Sequence, residues 1–445
     1  MTHREKYRRM VYFLLIVSIA GLFFGCWLAL KNRIPDHLYV TSSGEVPELF
    51  EYPFSAVVSE QIVDRKKKDG TEVPENMQVS GGSGCEKWSE TSEEEHQDAV
   101  EVSAGRGILE DIGETYQIKY ALFGRIPLKT ASVNVVSRKS VYAAGTPIGI
   151  YMETKGVMVV DTASVTGTDG EQHEPSANIL KSGDYIQAAD GIKLNNKEEL
   201  IACFQQSRGK DVVLDVARNG ETIRLKVTPV QTGVHDYKAG IWVRSDTQGI
   251  GTLTYVEDSG TYGALGHGIS DVDTGKLLQI KDGKLYDAEV ISIIKGQQGT
   301  PGELAGLIHY NEGYVIGNIE KNQENGIYGT ISGFPEYATT MRKYETAYKQ
   351  EVETGDAVLL SFVDGTLREY QIKIEELRLN ENDVNKGMVL KVTDPELLNL
   401  TGGIVQGMSG SPIIQDGKLV GAVTHVLVND PTRGYGIFIE NMLEH

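Results

Sequence analysis

Residues 11–30, VYFLLIVSIAGLFFGCWLAL, form an uncharged apolar run near the start of the 445-residue chain. An α-helix rises about 1.5 Å per residue, so a run of about twenty residues spans roughly 30 Å, the thickness of a bilayer core. Four basic residues lie between positions 4 and 9, and such a flank favours the cytoplasmic side of a membrane. The sequence therefore predicts a cytoplasmic segment 1–10, a transmembrane helix 11–30 and an extracytoplasmic remainder.

Two other interpretations of this apolar run are open. A cleaved signal peptide usually has an apolar core of roughly 7 to 15 residues, which is shorter than this run. A lipid anchor on Cys26 is disfavoured because bulky Phe23 and Phe24 stand where small residues are expected. A single-pass anchor is the interpretation that fits the length best.

Charge and cysteine content narrow the classes of partner and cofactor. The chain has 43 basic and 62 acidic residues, a net charge of −19 that repels nucleic acid phosphates. Cys26, Cys85 and Cys203 are far apart, with no spacing typical of a zinc site. We therefore expect no nucleic acid partner, no metal site and no cofactor.

Residues 31–118 are predicted to be a flexible stalk, because polar residues, a GGSG segment and blocks of like charge dominate them. From Lys119 the sequence becomes apolar and β-branched again, which predicts a linking strand over residues 119–140.

Residues 141–231 contain short strand patterns around one amphipathic helix, NKEELIACFQQS, and end in a hairpin through Asn219-Gly220. This order resembles a PDZ domain of the bacterial peptidase type, with PIGI at the position of the carboxylate-binding loop. The resemblance implies that Ile148, Gly149 and Ile150 offer backbone N–H groups to a peptide C-terminus or internal strand. The alternative is that PIGI is only a turn that enters a strand.

Residues 232–445 have an almost wholly β pattern. Apolar alternating runs flank three Asp-Gly pairs, at 282–283, 364–365 and 416–417, and such pairs predict hairpins. At least ten short strands in this length fit a β-sandwich or a double β-barrel of the kind that trypsin-like peptidases use. The whole chain is therefore predicted to be mainly β, with one membrane helix.

The segment QGMSGSP, residues 406–412, has the small residues that a nucleophilic serine needs. Gly407 allows a turn, Ser409 stands at its tip and Gly410 leaves room for substrate. The segment resembles the nucleophile loop of trypsin-like peptidases, in which the N–H groups of Gly407 and Ser409 form the oxyanion hole. A flexible turn without chemistry is the alternative.

A serine nucleophile needs a base, and His267 in YGALGHGISD is the best candidate because small residues surround it. His235 and His309 lack such neighbours. His425, in the strand GAVTHVLV, is interpreted as a core or pocket residue. A phosphate-binding loop at His267 is disfavoured because no P-loop lysine follows.

The third member of a triad is a carboxylate that orients the imidazole. Spacing does not choose among the candidates, which are Asp394, Asp271, Asp273 and Asp356.

Four motifs together, GALGHGISD, KVTDPELL, GIVQGMSGSPII and GAVTHVLVNDPTRGYGIFIENML, resemble the stage IV sporulation signalling serine peptidases, a PDZ-containing trypsin-like family. The resemblance covers about residues 119–445 and implies that His267, Asp394 and Ser409 are catalytic. Asp394 stands closer to the serine than a trypsin-like triad acid usually does.

The family resemblance also implies a function. The enzyme would cut itself and a membrane-associated regulator of an intramembrane protease, in the space between forespore and mother cell, and so permit activation of a late sigma factor. A soluble form would follow self-cleavage. The alternatives are a PDZ scaffold with an inactive barrel and a general extracytoplasmic quality-control peptidase.

Overall fold

Strands dominate the structure, as the alternating apolar and polar residues predict. The computed structural model describes residues 3–40, 54–59, 99–100, 115–122, 125–332, 341–380 and 382–444. The chain divides into two compact units, Met1–Ser137 and Arg138–His445. The expected mainly β fold with one apolar helix is confirmed.

The first unit contains one helix and one sheet. Its elements are α1 His3–Arg33, β1 His37–Val40, β2 Phe54–Ser59, β3 Ala99–Val100, β4 Thr115–Leu122 and β5 Ile126–Val135. Within α1, residues Tyr7–Asn32 are long and apolar enough to cross a membrane, and no other helix of the described residues is. This helix includes the predicted span 11–30.

The five strands of the first unit form one sheet in the order β1-β5-β4-β2-β3. Leu38 in β1, Ile118 in β4 and Val133 in β5 are fully buried in a shared cluster. Part of the predicted stalk 31–118 is therefore folded, because its short alternating runs bury their apolar side chains. The rest of that stalk, at 41–53, 60–98 and 101–114, lies outside the described residues.

The second unit contains the other strands and α-helices of the described residues. They are β6 Ser140–Ala143, β7 Pro147–Thr162, β8 Val165–Thr166, β9 Gln172–His173, β10 Tyr185–Ala189, β11 Ile192–Lys193, α2 Lys197–Ser207, β12 Val212–Arg218, β13 Glu221–Val227, β14 Val230–Gly233, β15 Asp236–Lys238, β16 Ile241–Val256, β17 Thr261–Ala264, β18 Ile280–Ile294, β19 Glu303–Ile308, β20 Val315–Gln323, β21 Gly326–Ile331, β22 Arg342–Thr346, β23 Gly355–Ser361, β24 Arg368–Leu377, β25 Met388–Val392, α3 Pro395–Thr401, β26 Pro412–Gln415, β27 Lys418–Leu427, β28 Asp430–Phe438 and α4 Ile439–Leu443.

Two hydrophobic clusters mark two halves of a closed β-barrel sheet. One cluster includes Ile150 of β7, Leu253 of β16 and Leu285 of β18. The other includes Leu359 of β23, Ile372 of β24 and Val423 of β27. We call these halves the first and the second barrel.

A small domain is inserted into the first barrel between the long strands β7 and β16. These two strands pair with each other along their length: Ile241 pairs with Thr162 at one end, and Thr252 pairs with Pro147 at the other. Their outer halves, together with β10 to β13 and α2, enclose a separate core that includes Val159, Phe204 and Leu214. We call residues 157–243 the inserted domain.

The insertion changes the expected boundary between residues 141–231 and 232–445. β6 pairs with β16 and β22, and residues 148–154 of β7 pair with β18, so these strands belong to the barrels. A sequence pattern reports the local strand but not its distant partner, because strand pairing depends on residues far along the chain.

The hairpin signals have mixed outcomes. Asn219-Gly220, Asp364-Gly365 and Asp416-Gly417 each connect two strands that pair with each other. The pair at 282–283 was expected to be a turn but lies inside β18 instead. There Gly283 packs against Ile319 and the Tyr151 carbonyl, where a Cβ would come within 3.0 Å of both neighbours.

Candidate active site

The loop that presents Ser409 is held by both barrels. Thr252 of β16 donates its N–H to the Ser409 carbonyl at 3.0 Å and its hydroxyl to the Gly407 carbonyl at 2.7 Å. Gly410 donates its N–H to the Val423 carbonyl of β27 at 2.8 Å. These bonds fix the loop before any substrate arrives, as an acyl-transfer site requires.

Two glycines in this loop have backbone conformations that other residues rarely adopt. Gly407 has φ 95° and Gly410 has φ 97°. A Cβ on Gly410 would lie 2.1 Å from the Thr252 carbonyl oxygen and 2.6 Å from the Leu265 nitrogen. The small residues of QGMSGSP are therefore required by the close approach of the backbone from the first barrel.

His267 follows β17 in a tight turn in which Leu265 has φ 69° and Gly266 has φ 69°. Its Nδ1 lies 2.9 Å from the Gly268 carbonyl oxygen. Since a carbonyl only accepts, Nδ1 carries the proton and Nε2 keeps a free lone pair. Burial lowers the pKa of His267, and the bond to Gly268 opposes that shift in part. The ring is therefore neutral at neutral pH.

Ser409 and His267 line the same cleft, which has a volume of about 390 Å³ and lies between the two barrels. Its other lining residues are mostly apolar or small: Ile150, Thr247, Gln248, Gly249, Ile250, Leu265, Ile269, Ile404, Val405, Gln406, Gly407, Thr424, His425 and Val426. A concave site with few polar groups is typical of a site that binds substrate.

The Ser409 hydroxyl donates to the Thr424 carbonyl at 2.6 Å and not to His267. Hydrogen bonds between catalytic groups often tighten only when substrate is bound. In the described part of the chain, no hydrogen bond takes up the N–H of Gly407 or of Ser409. Both donors remain available to a ligand in the cleft.

Asp394 does not contact His267. It is the N-cap of α3, where one carboxylate oxygen accepts from the N–H groups of Glu396 at 2.9 Å and Leu397 at 3.0 Å. The other oxygen accepts from the Gln371 N–H at 3.1 Å. The carboxylate therefore starts a helix, and no hydrogen bond joins it to the His267 ring, so the catalytic role of Asp394 stays a prediction.

The other three aspartates that the sequence offered as a triad acid also lie elsewhere. The fully buried Asp271 pairs with Arg244, which also binds Asp273 at 3.0 Å. Asp356 lies in β23 opposite Lys373 of β24. Among the described residues, the one hydrogen-bond partner of the His267 ring is the Gly268 carbonyl.

Ile148, Gly149 and Ile150 do not form a free carboxylate-binding loop. They lie in β7 between β16 and β18, and each residue has a partner on both sides: Gly251 and Asp287 for Ile148, Ile250 and Tyr286 for Gly149, and Gly249 and Leu285 for Ile150. A peptide cannot add as a strand where both edges are already paired. The expected role of these residues in peptide binding is therefore wrong.

The structure brings two further groups to the site that the sequence did not identify, the Gly268 carbonyl and the Thr424 carbonyl. His425, which the sequence assigned to the core or a pocket, lines the cleft with its ring centroid 4.8 Å from that of His267. The role of a backbone carbonyl cannot be predicted from residue type. A polar Thr-His pair at the end of an apolar strand, by contrast, could have indicated that this strand contributes to the site. No group of His, Cys, Asp or Glu in the described residues is placed to hold a metal ion.

The two-barrel β fold places a serine and a histidine in one cleft, an arrangement that a serine endopeptidase can use. Residues 235–443 match the family model described as SpoIVB peptidase S55, so this part of the chain is similar to serine endopeptidases of that family. The family predicted from the sequence motifs is confirmed. No curated protein sequence matches the chain.

Three solved structures of two peptidases are similar to parts of the chain. They are the Rv3671c protease in an inactive form (TM-score 0.26, 13% identity, 44% of this chain and 82% of that chain), a serine-to-alanine mutant of Rv3671c from M. tuberculosis H37Rv (TM-score 0.23, 14% identity, 44% and 80%) and the HtrA-type protease AlgW with a decapeptide (TM-score 0.26, 11% identity, 68% and 63%). The family assignment rests on the sequence match alone.

Proposed function

We propose that Ser409 is the nucleophile and His267 the general base of this peptidase. Ser409 Oγ attacks the scissile carbonyl carbon while His267 Nε2 accepts the hydroxyl proton. His267 then gives that proton to the leaving amine, and a water molecule hydrolyses the acyl-enzyme by the same route. The observation that carries this proposal is the shared cleft of the two side chains, with Nδ1 of His267 committed to the Gly268 carbonyl.

The N–H groups of Gly407 and Ser409 form the proposed oxyanion hole. Both lie on a loop fixed by Thr252, and neither has a hydrogen-bond partner within the described residues. Donors that are fixed in advance stabilise the oxyanion without reorganisation, and each is worth roughly 3 kcal/mol in the transition state.

Labelling with a fluorophosphonate probe tests this assignment, because the probe reacts only with an activated serine. The wild-type protein should be labelled at Ser409, while Ser409→Ala and His267→Ala should lose labelling and peptide hydrolysis. In the subtilisin example of the same chemistry the loss is about 10⁶-fold in rate. A folded wild-type protein that is never labelled would instead support a scaffold with an inactive barrel.

The biological substrate is proposed from the family match and from the apolar helix. We infer that the protein is anchored by residues 7–32, faces the extracytoplasmic side, and cuts a membrane-associated regulator of an intramembrane protease during sporulation. Few defined cuts in a candidate regulator would support this role, whereas broad digestion of unfolded proteins would support a quality-control peptidase. Mass spectrometry of the products separates these outcomes.

The inserted domain is the proposed substrate-positioning module. Its strands β10, β12 and β13 around α2 follow the order expected of a PDZ-type domain. Because Ile148 to Ile150 are paired on both sides, we assign the proposed peptide site to residues 157–243 instead. Deletion of these residues should reduce cleavage of the regulator more than labelling of Ser409.

Self-cleavage is the remaining part of the proposal. A tethered peptidase sees its own N-terminal segment at an effective concentration of about the millimolar range. The wild-type chain should yield soluble species that begin between about residues 40 and 115, whereas Ser409→Ala should stay full length and membrane-bound. Trimming of Ser409→Ala at the same sites, with no active copy present, would contradict self-cleavage.

A further inference from the structure

A second imidazole stands beside the catalytic base. His425 follows Thr424 on β27, and the Thr424 carbonyl is the group that accepts the Ser409 hydroxyl. The rings of His425 and His267 have centroids 4.8 Å apart and planes inclined by 34°. Two consecutive residues of β27 therefore contribute to the site: the Thr424 carbonyl contacts the nucleophile, and the His425 ring lies beside the base.

The strand that carries His425 is tied to a charged connection. The Thr424 hydroxyl donates to the Asn385 carbonyl at 2.6 Å, within the 3-10 turn that precedes β25. From this turn Asp383 and Lys386 face His425, and they form an ion pair with each other at 2.7 Å. Together with His267, they are the charged or titratable groups that act on the His425 ring.

The two rings are both uncharged at neutral pH. Partial burial and the neighbouring His267 lower the pKa of His425 to about 4, although the residue as a whole is exposed to solvent. Burial also lowers the pKa of His267. A neutral His425 does not repel the imidazolium that forms when His267 accepts a proton, whereas a cation in its place would.

The single hydrogen bond to His267 makes a neighbouring ring useful. The Gly268 carbonyl fixes which nitrogen carries the proton but allows the imidazole to pivot about that bond. A ring whose centroid lies 4.8 Å away limits this pivot on one side of the imidazole. A base must be held near the productive geometry, since a displacement of about 1 Å can cost about a hundredfold in rate.

We propose that His425 is a positioning residue for His267. The adjacent ring of His425 holds the base in line with Ser409. This inference rests on the proposed roles of Ser409 and His267. Contact with the His425 ring then performs part of the orienting role that the sequence analysis expected of a carboxylate.

The test compares His425→Phe, His425→Ala and His425→Lys in the full chain, solubilised in detergent. Fluorophosphonate inactivation rates across pH report the reactivity of Ser409 without a known substrate. His425→Ala should react about a hundredfold more slowly, and His425→Phe should restore most of the rate because it keeps a neutral ring. His425→Lys should react slowly and shift the inactivation profile to lower pH. The control is His309→Phe, because His309 also packs on an aromatic ring, Tyr314, at 4.6 Å.

A second measurement separates failure of this inference from failure of the proposed function. NMR of labelled histidine follows the titration of His267 in the Ser409→Ala background, whether or not the wild-type enzyme is active. Loss of the His425 ring should admit water and raise the pKa of His267 towards its ordinary value, while His425→Phe should leave it low. An unchanged His267 titration in His425→Ala, or a His425→Phe rate as low as that of His425→Ala, would overturn the positioning role.

Discussion

Substitution of Gly149 by alanine tests the most consequential difference between the sequence prediction and the structure. If Gly149 belonged to a peptide-binding loop, a side chain there would block a ligand and leave the fold intact. In the structure it lies in the middle of β7, and a Cβ would stand 2.4 Å from Ile308 Cγ2 and 3.0 Å from Cγ1. Carbon atoms pack favourably only at about 3.5–4.0 Å, so either Ile308 or the strand must move.

The expected cost is that of overpacking a core, about 1–3 kcal/mol in the free energy of unfolding. Ile308→Ala in the same chain removes both clashing atoms, so the double variant should lose less stability than the sum of the single variants. The coupling between residues in contact is about 0.5–3 kcal/mol. Gly249→Ala is the matched control for stability, because Gly249 lies in the neighbouring strand and a Cβ there would meet no atom within 4 Å.

Hydrogen–deuterium exchange with mass spectrometry is the appropriate assay, since it reads the barrel strands and the inserted domain separately. In Gly149→Ala, peptides from β7, β16 and β18 should lose protection, while peptides from α2 should change little. If the barrel strands keep full protection and cleavage of the regulator alone falls, the central position of Gly149 is wrong and the loop assignment is restored.

Three further perturbations have outcomes that follow from particular contacts. Arg244→Ala leaves the buried carboxylate of Asp271 without its cation. The variant should lose about 3–5 kcal/mol in the free energy of unfolding, measured by urea titration. Full stability in that variant would show that backbone N–H groups alone satisfy Asp271. Because burial lowers the pKa of His267 below its ordinary value near 6.5, inactivation of Ser409 should keep its neutral rate as the pH falls through 6.5 and decline only below it. A decline centred at or above 6.5 would contradict this. Gly410→Ala should abolish labelling of Ser409, because its Cβ would meet the Thr252 carbonyl at 2.1 Å, and normal labelling would show that the loop tolerates displacement.

Local sequence patterns predicted the turns and helices whose cause is local. Asn219-Gly220 and Asp416-Gly417 have positive φ at both residues, the conformation that two-residue hairpin turns require. The helix predicted from NKEELIACFQQS is α2, with Asn196 as its N-cap. The Asp-Gly pair at 282–283 does not form the predicted turn, because Gly283 is needed for close packing against Ile319.

Non-local pairing explains what the sequence could not predict. The segment PIGI has a strand pattern in either interpretation, and only its partners in β16 and β18 place it in the barrel. The inserted domain is likewise defined by the pairing of β16 with β7, two strands that are far apart in the sequence. Ser409 and His267 could be selected as candidates because small residues surround them in the sequence, and the structure places both in one cleft. The carbonyl of Gly268 could not be selected, because it acts through the backbone.

The position of Asp394 can matter for activity without any contact with the base. Its carboxylate starts α3, and Leu397 of that helix is fully buried in the same cluster as Val405 and Met408. Met408 is the residue next to Ser409. A weakened α3 would therefore loosen the packing beneath the nucleophile loop, and Asp394 variants would lose activity through stability.

The decisive experiment measures activity per folded molecule in Asp394→Ala and Asp394→Asn. Loss of an N-cap costs about 1 kcal/mol, and asparagine keeps the cap but presents its NH₂ to the Gln371 N–H, so both variants should be less stable than the wild type. Among molecules that remain folded, the inactivation rate of Ser409 should be unchanged, because no contact joins the carboxylate to His267. A triad acid behaves differently: its replacement by asparagine leaves the geometry intact and lowers the rate by about 10⁴-fold. A loss of that size at unchanged stability would return Asp394 to the triad and show that α3 moves towards His267 when substrate binds.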